Sequence, residues 1–334
     1  MSGALLVRAL RDPASTAALD AAGWTSLIAA ARAEQIVGTL AHRLHGLSKP
    51  ASAERILADA RASAEQGRTL ALWEAEMAGR ALLPLGIPVV LLKGTAYVAA
   101  GLAAGQGRNI GDLDILVPRE ALPAVEAALL EAGWEWVKAD AYDDAYYRQW
   151  MHELPPLIHR ERDRMIDVHH TILPPTARPK PDAAALLADS VPLANGLRVL
   201  SAEDMVCHAV AHLFADGELA GGLRNLWDIH CLLDAFDTPH ALAELRKRSQ
   251  RHQLGLHLER ALRLRDHLYG NGAVLSLADR FYVRRLLARD GWGRSTRPVS
   301  QAAFYLRSHW LRMPPAMLAR HLWTKWRNGH RLSR

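Results

Sequence analysis

The ten residues from Arg108 to Val117, RNIGDLDILV, constrain this chain more than any other stretch. Side chains of a strand alternate between faces, so Leu113 and Ile115 are predicted to enter a core. Asp112 and Asp114 then share the opposite, open face. Adjacent carboxylates repel each other unless a cation lies between them. Hard divalent cations, Mg²⁺ above all, are held by one or two carboxylates together with substrate phosphates. A Mg²⁺–nucleotide site is therefore the leading expectation. D-x-D alone is common on surface strands, and its weight here comes from what flanks it.

Composition narrows the class. A chain of 334 residues, 50% hydrophobic and 23% charged, is long enough for two or three substructures and has an ordinary soluble make-up. Cys207 and Cys231 fall in no zinc spacing and read as reduced thiols of a cytosolic protein. The opening MSGALLVRALRD is too short an apolar run for a signal peptide. No uncharged apolar stretch approaches the roughly 20 residues needed to span a bilayer. A cytoplasmic protein is expected. The net charge of +6 is uneven, because nine basic and no acidic residues follow Asp290. The high pI thus belongs to the tail and says nothing of the Asp112 region.

Along the chain, residues 1–84 read as a helical N-terminal region, with Leu27, Ile28 and Ala31, then Ile36, Leu40 and Leu44, near helical spacing. Gly86 and Pro88 punctuate a change to IPVVLLKG, a buried-strand pattern. A helix is expected over Thr95–Leu102, then the D-x-D strand, a helix from Ala121 to Ala132 stopped by Gly133, and a strand at Glu135–Val137. LPPLIH and MIDVHHTI read as a hairpin whose turn, ERDR, suits solvent. Residues 85–175 form the expected catalytic core. After a Pro- and Ala-rich linker, residues 183–334 read as a helical C-terminal domain with a basic tail. Its helix from Ser201 carries Glu203 and Asp204 in the first turn.

The hairpin supplies a third carboxylate. Asp167 lies between Ile166 and Val168 and leaves its strand on the side opposite them. Asp112, Asp114 and Asp167 on neighbouring strands would hold two Mg²⁺ ions, with Mn²⁺ as a substitute. One ion would activate a nucleophile and the other would stabilise a leaving pyrophosphate. Asp167, nearer the nucleophile, is the candidate general base.

With these motifs in hand, the sequence resembles the uncharacterised nucleotidyltransferase family of the polymerase-β-like superfamily. The residues that carry the likeness are Leu92-Lys93-Gly94, then Arg108 ahead of Asp112, Asp114 and Val117, then Ile166-Asp167-Val168-His169. The likeness extends to Trp24 and its helix, and to DMVCHAVAHLF and LRNLWDIHCLLDAF. It implies an α+β fold: a small nucleotidyltransferase-type mixed sheet flanked by helical N- and C-terminal regions. It also implies transfer of a nucleoside monophosphate from an NTP such as ATP to an acceptor. Superfamily members usually carry h-G-[GS] at the first turn, which holds the triphosphate. Here Lys93-Gly94-Thr95 occupies that place. Gly94 keeps the close backbone approach, Thr95 offers a hydroxyl, and Lys93, which departs from the pattern, is assigned to a phosphate oxygen. Arg108 is the second phosphate clamp. Relatives among bacterial polysaccharide genes make a glycan-linked acceptor an analogy, beside a small molecule or a protein.

Other features carry less. His169 and His170 point to opposite faces and cannot chelate one ion together. His169 shares a face with Asp167 and can orient it or a substrate. His152 and Glu153 read as a turn packed by prolines. His208 and His212, four apart on a helix, lack a third ligand and read as core-facing or substrate-side groups. Arg224-Asn225 with His230 fits the R-N-x₄-H pattern of HEPN-type RNases, yet that spacing arises easily by chance with 16 histidines. Leu226, Ile229, Leu232 and Leu233 explain the same helix by packing, with Asp228 as an anchor. The tail, with Trp310, Trp323 and Trp326 among arginines, suits an anionic membrane surface, here the inner face of the inner membrane, or nucleic acid. Against that stands simple packing of its aromatics on the body. Two alternatives to catalysis stay open: a catalytically inactive nucleotide-binding regulator, and a partner-binding protein acting through the tail.

Overall fold

The computed structural model describes residues 2–137, 147–216, 218–315 and 318. The N-terminal region is helical, as its spacing predicts: α1 (Ser2–Arg11), α2 (Ala21–Ala33), α3 (Val37–Arg43) and the long α4 (Ala51–Leu82). The Asp20 carboxylate caps α2 by accepting from Gly23 N at 2.8 Å. Alanines and straight-chain residues carry α4 for 32 residues until Pro84 ends it. Gly86, at φ +60°, then turns the chain in a left-handed conformation that glycine adopts freely.

The central segment is α+β. Short β1 (Val90–Leu91) leads into α5 (Lys93–Ala99), then β2 (Asp112–Leu116), α6 (Leu122–Glu131), β3 (Trp134–Trp136), β4 (Leu157–His159) and β5 (Met165–His169). The expected Thr95–Leu102 helix thus begins two residues earlier and ends three earlier, because the chain bends directly at Lys93, which has φ +48°. After α7 (Ala183–Ala188), β6 (Val191–Pro192) and β7 (Arg198–Val199) complete a seven-stranded mixed sheet ordered β3-β4-β5-β2-β1-β7-β6. β2 runs parallel to β5 and β1 parallel to β7, and the other neighbours are antiparallel. The sheet therefore takes its last two strands from beyond residue 183.

The remaining described helices are α8 (Ala202–Ala211), α9 (Gly222–Ala235), α10 (Ala241–Arg251), α11 (Gly255–Leu268), α12 (Leu277–Leu286) and α13 (Pro298–Arg312). Ser201 caps α8 by accepting from Asp204 N at 3.2 Å, the start expected from its sequence. One apolar cluster runs from Leu6 through Leu91, Ile115 and Val168 to Leu226 and Leu264. Full burial of each such side chain is worth about 1.5–3 kcal/mol. No described helix is long and apolar enough to cross a membrane.

Two long-range contacts fix the sheet in its helical frame. Arg162, in the hairpin turn expected to face solvent, instead reaches α4 and donates to both oxygens of buried Glu74, at 2.7 and 3.0 Å. Its guanidinium also lies 4.8 Å from the Trp134 ring. Gly38, in α3, meets Gly107 backbone to backbone, and a Cβ at either position would overlap the other's carbonyl. Thr39 Oγ1 donates to Gln106 O at 3.2 Å beside this contact. The loop that feeds Arg108 and β2 is held there. Gly38→Ala is expected to destabilise the fold by about 1–3 kcal/mol in urea denaturation. Unchanged stability would mean that the loop yields freely at this point.

Within the tail, α13 packs its aromatics: Phe304 is buried and lies edge-on to Tyr282, while Arg307 donates to Phe214 O at 2.8 Å. Trp323 and Trp326 lie outside the described residues, as does the stretch 138–146.

Candidate active site

Parallel pairing of β2 with β5 sets Asp114 directly opposite Asp167, with Asp112 opposite Met165. Leu113, Ile115, Ile166 and Val168 are buried on the other face, as alternation requires. Oxygens of Asp112, Asp114 and Asp167 all approach one another within 4.8 Å. The strands therefore converge three carboxylates from residues 55 positions apart in the chain.

The face is less open than the pattern predicts. Asp112 is exposed, Asp167 half-buried, and Asp114 only 3% exposed. Asp114 is covered by two donors on the same oxygen: Lys93 Nζ at 2.6 Å and His169 Nε2 at 3.0 Å. Burial alone would raise the Asp114 carboxyl, but Lys93 and His169 outweigh it and hold the group well below the usual carboxylate range. Burial likewise disfavours the Lys93 ammonium, yet Asp114 more than compensates and strengthens its hold on the proton. Asp167 has no such donor against it among the described residues. Burial first, then the Asp114 and Glu153 charges, push it up to about 7. Three carboxylates crowded on one face are a donor set that could hold a hard cation.

The phosphate-side candidates surround this face unevenly. Gly94 lies against the Arg108 side chain, and a Cβ there would come 2.7 Å from Arg108 Nε. Thr95 is 1% exposed, and its Oγ1 is buried with no hydrogen-bond partner among the described residues. Arg108 is itself buried. Its guanidinium bonds the Asp228 carboxylate of α9 and lies 5.5 Å from the Tyr97 ring. Asp228 thus anchors α9 to the loop that precedes β2. His208, His212 and Asn225 share a pinched polar space with Lys93, Arg108 and Asp228, with room for one water at most. Burial, reinforced by the Lys93 charge, pushes the His208 imidazole well below its ordinary range. His208 is therefore a neutral group beside the carboxylate face.

The two ends of the RNase-like pattern have different partners. Arg224 donates to Gln35 at 2.7 Å, whereas His230 stacks on Tyr269 and accepts from Arg265. His152 and Glu153, read as a proline-packed turn, belong to the site. Leu154 N donates to Val168 O and His170 N to His152 O, both at 2.9 Å, so residues 152–154 pair with β5. Glu153 Oε2 then stands 3.4 Å from His169 Nδ1. The run Met151-His152-Glu153-Leu154 shows no strand period, and Pro155 and Pro156 read as a turn.

The two parallel Asp-bearing strands lie next to the Lys93-Gly94 turn, whose Lys93 reaches Asp114. The chain belongs to a family of uncharacterised nucleotidyltransferases, whose model matches residues 20–270. No functionally curated protein matches it. Among solved structures it is similar to the antibiotic-resistance factor ANT(2'')-Ia in solution, at 14% identity and a TM-score of 0.38. That match covers 57% of this chain and 98% of the other.

Proposed function

We propose that this chain transfers a nucleoside monophosphate from an NTP to an acceptor hydroxyl at the face made by Asp112, Asp114 and Asp167. The observation that carries the reading is the β2–β5 register, which brings three acceptor-only oxygen donors within 4.8 Å. That donor set suits a hard cation, Mg²⁺ with Mn²⁺ as a substitute. Bound there, such ions supply charge stabilisation for the triphosphate and lower the pKa of the attacking hydroxyl.

The chain's own groups divide the remaining work. Asp112 and Asp114 hold the ions, and Asp167 completes the set and receives the acceptor's proton. A new bond forms between the acceptor oxygen and the α-phosphorus as the bond to pyrophosphate breaks. Lys93, Gly94 and Thr95 hold the phosphates. Arg108 adds positive charge from behind Gly94. Lys93 has a four-carbon stem long enough to move from Asp114 to a phosphate oxygen, which spreads its charge over either partner. The flanking helices shape the acceptor side, and the acceptor is a small molecule, a glycan or a protein.

The test is pyrophosphate release from each NTP with Mg²⁺, supplied with cell extract as acceptor source. Wild type is compared with the double variant Asp112→Asn/Asp114→Asn. Metal-dependent release that the double variant lacks is the expected result. NTP binding without release from wild type would favour a regulatory nucleotide binder, and no NTP binding at all would overturn the nucleotide reading.

A further inference from the structure

Beside the three aspartates lies a second donor set of different chemistry. One nitrogen each of His152 and His169 and an oxygen of Glu153 lie within 4.8 Å of one another. His169 Nε2 faces Asp114 Oδ1 at 3.0 Å, and because a carboxylate only accepts, that nitrogen carries the hydrogen. On the neutral ring Nδ1 therefore presents its lone pair. It is buried, has no hydrogen-bond partner among the described residues, and stands 3.4 Å from Glu153 Oε2. On that ring the buried nitrogen is satisfied only by a positive centre placed against it.

The spacing suits a metal ion at that place. A charge-assisted N–H···O bond closes to about 2.7–2.9 Å, well short of the separation seen here. Ligands at about 2.0–2.1 Å from a tetrahedral zinc ion stand about 3.4 Å apart. The His169–Glu153 separation of 3.4 Å matches that edge, and His152 Nε2 lies 3.8 Å from the same Glu153 oxygen. The frame is built in advance, since the antiparallel bridge Glu153↔His169 fixes both backbones. The His152 and His169 rings already stand 5.1 Å apart, centre to centre.

We propose that His152, Glu153 and His169 bind a Zn²⁺ ion, distinct from the hard-cation face of the three aspartates. Two imidazoles and one carboxylate make an N₂O set, which favours zinc over magnesium and leaves a fourth position for water. Zinc on Nδ1 fixes the His169 tautomer whose Nε2–H donates to Asp114. Asp114 then acts as the outer carboxylate of a carboxylate–histidine–zinc arrangement. The ion pins residues 152–154 to β5 and holds Asp114 in place, so His152 and Glu153 are positioning residues.

The experiment uses the full chain without an affinity tag. The protein is stripped with a chelator and titrated with Co²⁺, whose visible absorption reports tetrahedral coordination, then with Zn²⁺ in competition, both in excess Mg²⁺. The expected result is one Co²⁺ per chain with tetrahedral absorption, displaced by one Zn²⁺ and indifferent to Mg²⁺. His152→Gln and Glu153→Gln should each weaken binding by at least about 100-fold, with circular dichroism confirming that each variant is folded. Asp112→Asn should bind as wild type does. Absence of a Co²⁺ or Zn²⁺ complex in wild type overturns the proposal, and a proton on His169 then fills the place. Binding lost in Asp112→Asn but kept in both His152→Gln and Glu153→Gln also overturns it, because the ion then sits on the aspartates. None of these readouts depends on NTP chemistry, so failure here is separable from failure of the transferase reading.

Discussion

Asp112→Asn is expected to lower nucleotidyl transfer by at least about 10³-fold while leaving stability within about 0.5 kcal/mol of wild type. A neutral amide is a poor ligand for a hard cation, and several kcal/mol of transition-state stabilisation go with it. Asp112 is exposed at the start of β2 and makes no side-chain hydrogen bond or ion pair among the described residues, so little of the fold rests on its charge. Asp114→Asn should show the same loss of transfer and, in addition, a destabilisation of about 3–5 kcal/mol. Its carboxylate is the counter-charge for Lys93 Nζ and the acceptor for His169 in a nearly closed place. Pyrophosphate release and urea denaturation measured on both variants separate the two effects. Equal destabilisation by the two substitutions would contradict the burial described for this strand, and transfer surviving Asp114→Asn would remove the carboxylate face from the chemistry.

The largest effect on the fold alone is expected at Asp204→Ala. The Asp204 side chain is fully buried near the start of α8, where it accepts from Arg248 Nε at 2.6 Å and from His252 Nε2 at 2.8 Å. A second Arg248 nitrogen bonds its other oxygen. Removing the carboxylate leaves the buried His252 imidazole without its acceptor and Arg248 with only Asp189 and the Ala185 carbonyl, at a cost of about 3–5 kcal/mol. The same group makes stability depend on pH. Burial would raise its carboxyl, but His252 and Arg248 outweigh burial and keep it below the usual range. The unfolded chain has an ordinary value of about 3.9. The contribution is therefore fully present above pH ~4 and is lost as pH falls through the lower folded value. Melting followed from pH 6 downward should show an acid-dependent loss in wild type that is smaller in Asp204→Asn. Parallel curves for the two proteins would remove Asp204 from the acid response.

Local pattern revealed the carboxylates because strand alternation is a short-range rule. Ile166-Asp167-Val168 and Leu113-Asp114-Ile115 each declare their own buried and polar sides. What no local rule could supply is which aspartate is covered. The cover on Asp114 comes from Lys93 and His169, 21 and 55 residues away. Arg108 shows the same limit. Its planar fork suits a phosphate, but a partner 120 residues later, Asp228, holds it from within the protein. β6 and β7 escaped notice because a two-residue strand is too short to display a period. Glu153 was obscured by neighbouring prolines that look like a turn, although the backbone stays extended long enough to pair with β5.

The ion pair between Arg108 and Asp228 also bears on how such a chain can change over time. Because one residue sits at the threshold of the Asp112 strand and the other on a distant helix, neither can drift alone without orphaning a charge in the interior. The two positions should be exchanged together or not at all. A graft of residues 85–175 into a foreign helical scaffold would import half of a bond. In this protein the Asp112 strand and its helical surroundings are joined through that one buried pair, so substitutions on either side of the joint are expected to couple.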